Sequence, residues 1–170
     1  MDFLQLAADR YSVRKFKPDP VSDELVAKIL KAGQLAPTAC NFQPQKILVL
    51  RSPGALEKLK KCTECHFNAP LAMIVCNDGS RSWTRPFDGK SSGDVDGSIV
   101  TTHLMLEAAE LGLGSTWVMF FIPEAVKTEF ALPDGVEPVA ILPMGWPADD
   151  AVPSPKHSQS RAMEELVEFL

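Results

Sequence analysis

A single tyrosine and three histidines occur among 170 residues, a thin supply of general acids and bases. The composition does not offer a side-chain dyad as the engine of catalysis. No Gly-x-Gly-x-x-Gly follows a candidate strand, so no dedicated dinucleotide fold is expected. Long apolar runs are missing too, since no window approaches the roughly 18 apolar residues of a membrane span. The opening Met1-Asp-Phe-Leu-Gln-Leu6 meets charge at once, unlike the basic-plus-apolar pattern of an export signal. A cytoplasmic protein with reduced thiols is expected. The net charge of -5 argues against nucleic acid or an anionic membrane as partner.

Cysteine is scarce and poorly arranged for a metal. Cys62-Thr-Glu-Cys65-His66 has the spacing of covalent haem attachment and contains a C-x-x-C pair. Haem attachment requires export, and a zinc site requires a second ligand pair that Cys40, Cys76, His103 and His157 do not supply. A thioredoxin-like pair would open a helix after a strand, whereas this one closes a charged helix. Ordinary thiols at a helix end are expected, and no metal.

What is present reads as one ordinary domain, 45% hydrophobic with a mean hydropathy of -0.01, long enough to build a core. Residues 2–9 form a short amphipathic helix. Ser22 is placed to cap a helix over 23–34, where Leu25, Val26, Ile29 and Leu30 keep the helical period. Strands are predicted at 46–51, 71–76, 115–121 and 137–145. Helices are predicted at 54–62, 123–131, where Pro123 suits a first turn, and 163–169. Residues 77–93 are polar and read as a mobile loop around Trp83. Asp94 or Asp96 can then cap a long helix over 95–112 that is apolar nearly all round. Such a helix must be buried on most sides, more than one domain of this size can cover, and this points to a dimer. Helices and strands interleave, which predicts a mixed sheet with helices on both faces.

The most informative run is Arg10-Tyr-Ser-Val-Arg14-Lys-Phe16. In an extended segment, side chains two apart point the same way, so Arg10, Ser12 and Arg14 aim two guanidinium groups and a hydroxyl at one spot. Forked, charge-assisted donors of this kind suit a phosphate dianion. Tyr11 and Val13 can fasten the opposite side to a core.

Further along, Ala36-Pro37-Thr38-Ala39-x-Asn41-x-Gln43-Pro44, Asp96 to Gly114 leading to Trp117, Pro138-Val-Ala-Ile-Leu-Pro-x-Gly145 and Arg161-x-x-Glu164-Glu165-Leu166 complete an ordered set. Together with the opening run, this set resembles the FMN-dependent nitroreductase family from about residue 8 to 169, although the chain is short for that family.

The resemblance implies an α+β fold, a three-layer α/β/α sandwich with a mixed four- or five-stranded sheet, intertwined as a homodimer with FMN at the subunit interface. It further implies that Arg10, Tyr11, Ser12 and Arg14 approach the phosphate from one subunit. Arg161 would complete that cradle, with Lys156 or His157 as further candidates. Pro37, Thr38, Ala39, Asn41 and Gln43 would reach over from the other subunit, and Trp117 and Val118 would lie beneath or beside the ring. The implied reaction is ping-pong hydride transfer from NADH or NADPH, through flavin N5, to a nitroaromatic, a quinone or another small electron-poor acceptor. In that case the flavin carries the chemistry and no side chain is catalytic.

Two departures from the family pattern stand out. The stretch Lys61 to Asn68 lacks the usual basic or amide contact to the flavin's pyrimidine edge, and Met119, Phe120 and Phe121 replace glycines. An alternative reading is a flavin-binding protein for storage or redox sensing, which would bind FMN without turnover. A thiol or haem carrier built on Cys62 and Cys65 is a third.

Overall fold

The computed structural model describes residues 2–170. Seven successive residues from Leu71 to Asn77 are buried, which a strand achieves only when both faces are covered. This strand, β2 (Leu71–Asp78), lies inside a four-stranded sheet of order β1-β2-β4-β3, with β1 at Gln45–Leu50, β3 at Gly114–Ser115 and β4 at Val136–Gly145. The helices are α1 (Phe3–Asp9), α2 (Asp23–Leu35), α3 (Pro53–Cys62), α4 (Gly93–Glu110), α5 (Pro123–Phe130) and α6 (Met163–Leu166).

Strand periodicity divides the core in two. Leu71, Met73 and Val75 pack with Val26 and Ile29 of α2 and Val100, Leu104 and Ala108 of α4. Ala72, Ile74 and Cys76 pack with Leu59 of α3 and Val126 of α5. These are the three layers expected from the sequence. The sheet differs in one respect: every ladder between its strands is antiparallel, and the parallel pairing is confined to an isolated bridge between Ser12 and Ser115.

The strand expected over 115–121 is cut short to two residues. Beyond Ser115 the chain faces Pro143 of β4, which has no N–H to donate. Thr116 N–H still reaches the Pro143 carbonyl at 3.2 Å, and Val118 and Ile141 exchange bonds of 2.9 and 3.1 Å. After Val118 the chain leaves the sheet as a strap. The C-terminal helix is also shorter than expected, ending at Leu166.

Ser22 caps α2 by accepting from Leu25 N–H at 3.3 Å. The long helix begins earlier than expected, at Gly93, and neither Asp94 nor Asp96 is its cap; Ser92 holds that position and makes no side-chain cap bond. Gly112, at φ +79°, ends it in the left-handed conformation that glycine adopts without strain. Residues 79–92 are an organised arm rather than a featureless loop. A 3-10 turn at Gly79–Arg81 leads into a bridge between Thr84 and Ser91, closed by the Arg85–Asp88 ion pair at 2.5 Å.

Candidate functional site

The segment after α1 is pressed against the sheet. Val13 is buried and its N–H donates to the Ser115 carbonyl at 3.0 Å. A Cβ on Gly114 would fall 2.5 Å from Val13, so only glycine lets the segment lie this close. Arg14 points to solvent and donates back to the Ser12 carbonyl at 3.1 Å. Lys15 and Lys17 are held by Asp150 and Asp149 at 2.5 and 2.6 Å. Among the described residues, Arg10 and Arg14 have no carboxylate partner. Lys15 and Lys17 are thus ion-paired, while the two guanidinium groups are not.

The chain beyond β4 folds back over this segment. Tyr11 Oη donates to the Ala151 carbonyl at 3.2 Å and its ring meets His157 edge-on at 6.2 Å. His157 Nε2 lies 3.0 Å from the Ala8 carbonyl. The structure therefore packs His157 against Tyr11 and lines one cleft with Arg10 and Tyr11, whereas Ser12 and Arg14 do not line it. Arg161 is not drawn in; it precedes α6, and its Nε bonds Glu165 of that helix at 3.1 Å. Lys156 is exposed. A cleft of about 180 Å3 lies here, between Arg10 and Tyr11 on one side and Met105, Ala109 and Gly112 near the C-terminal end of α4 on the other.

The turn at 36–43 occupies the opposite end of α4. Cys40, Asn41 and Gln43 all have positive φ, at 50°, 56° and 50°, a conformation costly for residues other than glycine and asparagine. Thr38 Oγ1 accepts from Gln43 N–H at 3.1 Å, and Gln43 Nε2 bonds Asn41 Oδ1 at 3.0 Å. Asp96, only 2% exposed, holds the turn from within α4. It accepts from Ala39 N–H at 2.9 Å and from Ser92 Oγ at 2.7 Å. Sequence reasoning made Asp96 a cap. The missed signal was Ser92, which takes the N-cap position itself and donates its hydroxyl to Asp96. Pro37, Asn41 and Gln43 are exposed and Thr38 and Ala39 half-buried. Ala39 lines a separate cleft of about 370 Å3 with Trp83, Arg85, Lys90 and Ile99.

Trp117 is half-buried and Val118 buried, both just before the strap. His103 is half-buried on α4, with Nδ1 2.9 Å from the Ile99 carbonyl. Cys62 closes α3 and donates to the Lys58 carbonyl at 3.4 Å, and burial raises its thiol above the ordinary cysteine range. A reactive thiolate there is disfavoured. Among the described residues, no group of three or more His, Cys, Asp or Glu side chains is placed to hold a metal. Among the described residues, no helix is long and apolar enough to cross a membrane.

Thirteen residues separate Asp96 from Ala109, or about 20 Å at 1.5 Å per residue. Arg10 and Tyr11 of one predicted contact set and Ala39 of the other therefore line different clefts at the two ends of one helix. Along the same helix, Val95 and Ile99, then Leu106, form a second apolar stripe not wholly covered by the chain's own layers. Met163, Leu166, Val167 and Phe169 of the C-terminal segment are exposed as well.

Comparison with known proteins places these features in a group. The model of the nitroreductase family matches residues 7–75 and 66–146. A nitroreductase family protein from Clostridium difficile 630 has a crystal structure similar to this one, with a TM-score of 0.93 and 42% identity over 99% of this chain and 98% of its own. An FMN-dependent nitroreductase from Clostridium difficile R20291 matches with a TM-score of 0.79 and 25% identity, over 98% of both chains. A protein of Methanothermobacter thermautotrophicus, provisionally named NADH dehydrogenase/NAD(P)H nitroreductase, is 32% identical over 160 residues, covering 88% of this chain and 80% of its own.

Proposed function

Since the chain belongs to the nitroreductase family, we propose that it is an FMN-dependent oxidoreductase that uses NADH or NADPH to reduce nitroaromatics, quinones or related electron-poor acceptors. The names of its relatives support the cofactor and the reductant. The donor set also fits FMN. Arg10 and Arg14, free of carboxylates, match a phosphate. The turn at 37–43 offers small side chains and two amides, suited to the polar edges of a flat ring.

One observation carries the arrangement: the two sets lie at opposite ends of α4. A two-fold assembly that runs one α4 against another places the arginine end of one subunit beside the turn of the other. In this reading Arg10, Ser12 and Arg14 grip the phosphate, Tyr11 backs them, and Trp117 and Val118 support the ring. Pro37, Thr38, Ala39, Asn41 and Gln43 of the partner subunit cover it, and Arg161, Lys156 or His157 close the cradle. The half-covered stripe on α4 and the apolar C-terminal segment supply the interface. Bound there, FMN would supply the hydride chemistry that links NAD(P)H to the acceptor in a ping-pong exchange. The chain's own residues bind, orient and shield; none needs to move a proton.

Complementation between subunits tests this. One variant carries Arg10→Ala and Arg14→Ala, the other Asn41→Ala and Gln43→Ala, and each alone should lose FMN. Refolded together, they should regain flavin absorbance at up to one site per mixed dimer, because one of its two sites is then built from intact halves. No recovery, with mixed dimers present, overturns the shared site.

A further inference from the structure

The arm at 79–92 is a hairpin, and its pairing decides which side chains share a face. Arg85 N–H donates to the Lys90 carbonyl at 2.9 Å and Ser92 N–H to the Trp83 carbonyl at 2.8 Å, on either side of the Thr84–Ser91 bridge. Directly opposed residues of an antiparallel pair, and those two apart on one strand, point the same way. Trp83, Arg85 and Lys90 therefore project together. With Val95 and Ile99 of α4 and Ala39 of the turn, they line the cleft of about 370 Å3. That volume lies within the roughly 300–1,000 Å3 of small-molecule sites.

The charges of this cleft are unevenly committed. Arg85 is locked to Asp88 by two bonds, 2.7 Å from Nε and 2.5 Å from Nη2. Asp96, the carboxylate of the lining, is buried, and its two oxygens accept from Ala39 N–H and Ser92 Oγ. Lys90 is exposed and has no carboxylate partner among the described residues. An indole, two aliphatic side chains and one uncommitted ammonium thus meet in one place. A flat aromatic ring suits the indole and the aliphatic floor, and an anionic substituent on that ring suits the ammonium.

We infer that this arm selects the electron acceptor, and that it favours a flat aromatic acid with a single negative charge over a neutral ring of the same shape. The inference rests on the flavin reading, in which Ala39 belongs to the turn that covers the ring and so brings the cleft beside it. Trp83 and Lys90 are then specificity-determining residues of the proposed reaction. Val95 and Ile99 also belong to the stripe assigned to the subunit interface, so the partner subunit borders the open side of the cleft.

Calorimetric titration of the FMN-loaded protein tests the inference, in the absence of NAD(P)H, with 4-nitrobenzoate and its neutral isostere 4-nitrobenzamide as probes. The benzoate should bind about fivefold more tightly, the scale of one exposed ion pair, and added salt should shrink the difference. Lys90→Gln should erase the preference by weakening the benzoate alone. Trp83→Ala should weaken both probes several-fold, and Trp83→Phe, which keeps an aromatic face, should restore most of the loss. Equal affinity for the two probes, or a preference that survives Lys90→Gln, overturns the assignment. So does a Lys90→Gln protein that loses FMN, because the lysine then serves the flavin. A dimer that binds neither probe overturns it as well, because the partner subunit then fills the cleft. Flavin absorbance of the wild-type protein is read separately. A protein that takes up no FMN overturns the flavin reading and this inference with it, whereas bound FMN with equal probe affinities overturns only the role of the arm.

Discussion

The two ends of α4 solve opposite problems. At its C-terminal end the side chains do the work: Arg10 and Arg14 project from an extended segment that Val13 and Gly114 hold against the sheet. At its N-terminal end the backbone does the work: a turn with three left-handed residues is tied down by Asp96. One end concentrates charge, whereas the other concentrates small residues and amides. The contrast teaches how the proposed site would divide its labour: the charged end would take the phosphate of a flavin and the turn its ring, each supplying what the other lacks.

Breaking the charged end should have the largest effect. With each charge-assisted bond worth roughly 1.5–3 kcal/mol, Arg10→Ala with Arg14→Ala should weaken FMN on the order of a hundredfold or more, as read by flavin fluorescence. Unchanged affinity would remove the charged end from the site. Asp96→Ala attacks the other end. It deletes a buried carboxylate that accepts from Ala39 N–H and Ser92 Oγ, and urea unfolding should register a loss of roughly 2–4 kcal/mol. FMN should weaken too, and a variant with normal stability would mean that the turn holds itself.

A control lies away from both ends. Burial in β2 raises the Cys76 thiol from an ordinary value of 9.0 to about 11. Between those values the unfolded chain releases the proton first, so stability falls as pH rises from about 9 to 11, by roughly 2–3 kcal/mol in all. Cys76→Ala should flatten that part of the pH profile without moving FMN affinity at neutral pH. The smallest effect should come from Cys40→Gly. Relieving a left-handed φ of 50° gains more than the extra chain entropy costs, and the melting temperature should rise, by less than about 1 kcal/mol in stability. A fall would mean that the cysteine side chain packs usefully in the turn.

Much of this was legible in the sequence, for reasons that differ by element. Leu71 to Cys76 announced a strand covered on both faces because burial demands an unbroken apolar run. The alternation of Arg10, Ser12 and Arg14 with Tyr11 and Val13 announced an extended segment, and the structure buries Val13 and exposes Arg14. The third strand was overextended because its limit is set by its neighbour, Pro143, and not by its own residues. Asp96 was misassigned for the same reason: the backbone donor it holds, Ala39 N–H, belongs to a turn far away in the chain. Local periodicity reports local burial, whereas tethers between distant segments leave no periodic trace.

Under the proposed function, a helix that sets the spacing between two half-sites has a quantitative consequence for the protein in dilute solution. Ligand capture and subunit pairing become linked equilibria, so the apparent dissociation constant for the pigment should climb as protein concentration drops below that needed to pair. Supplying the pigment in excess should, by the same linkage, draw separated subunits together.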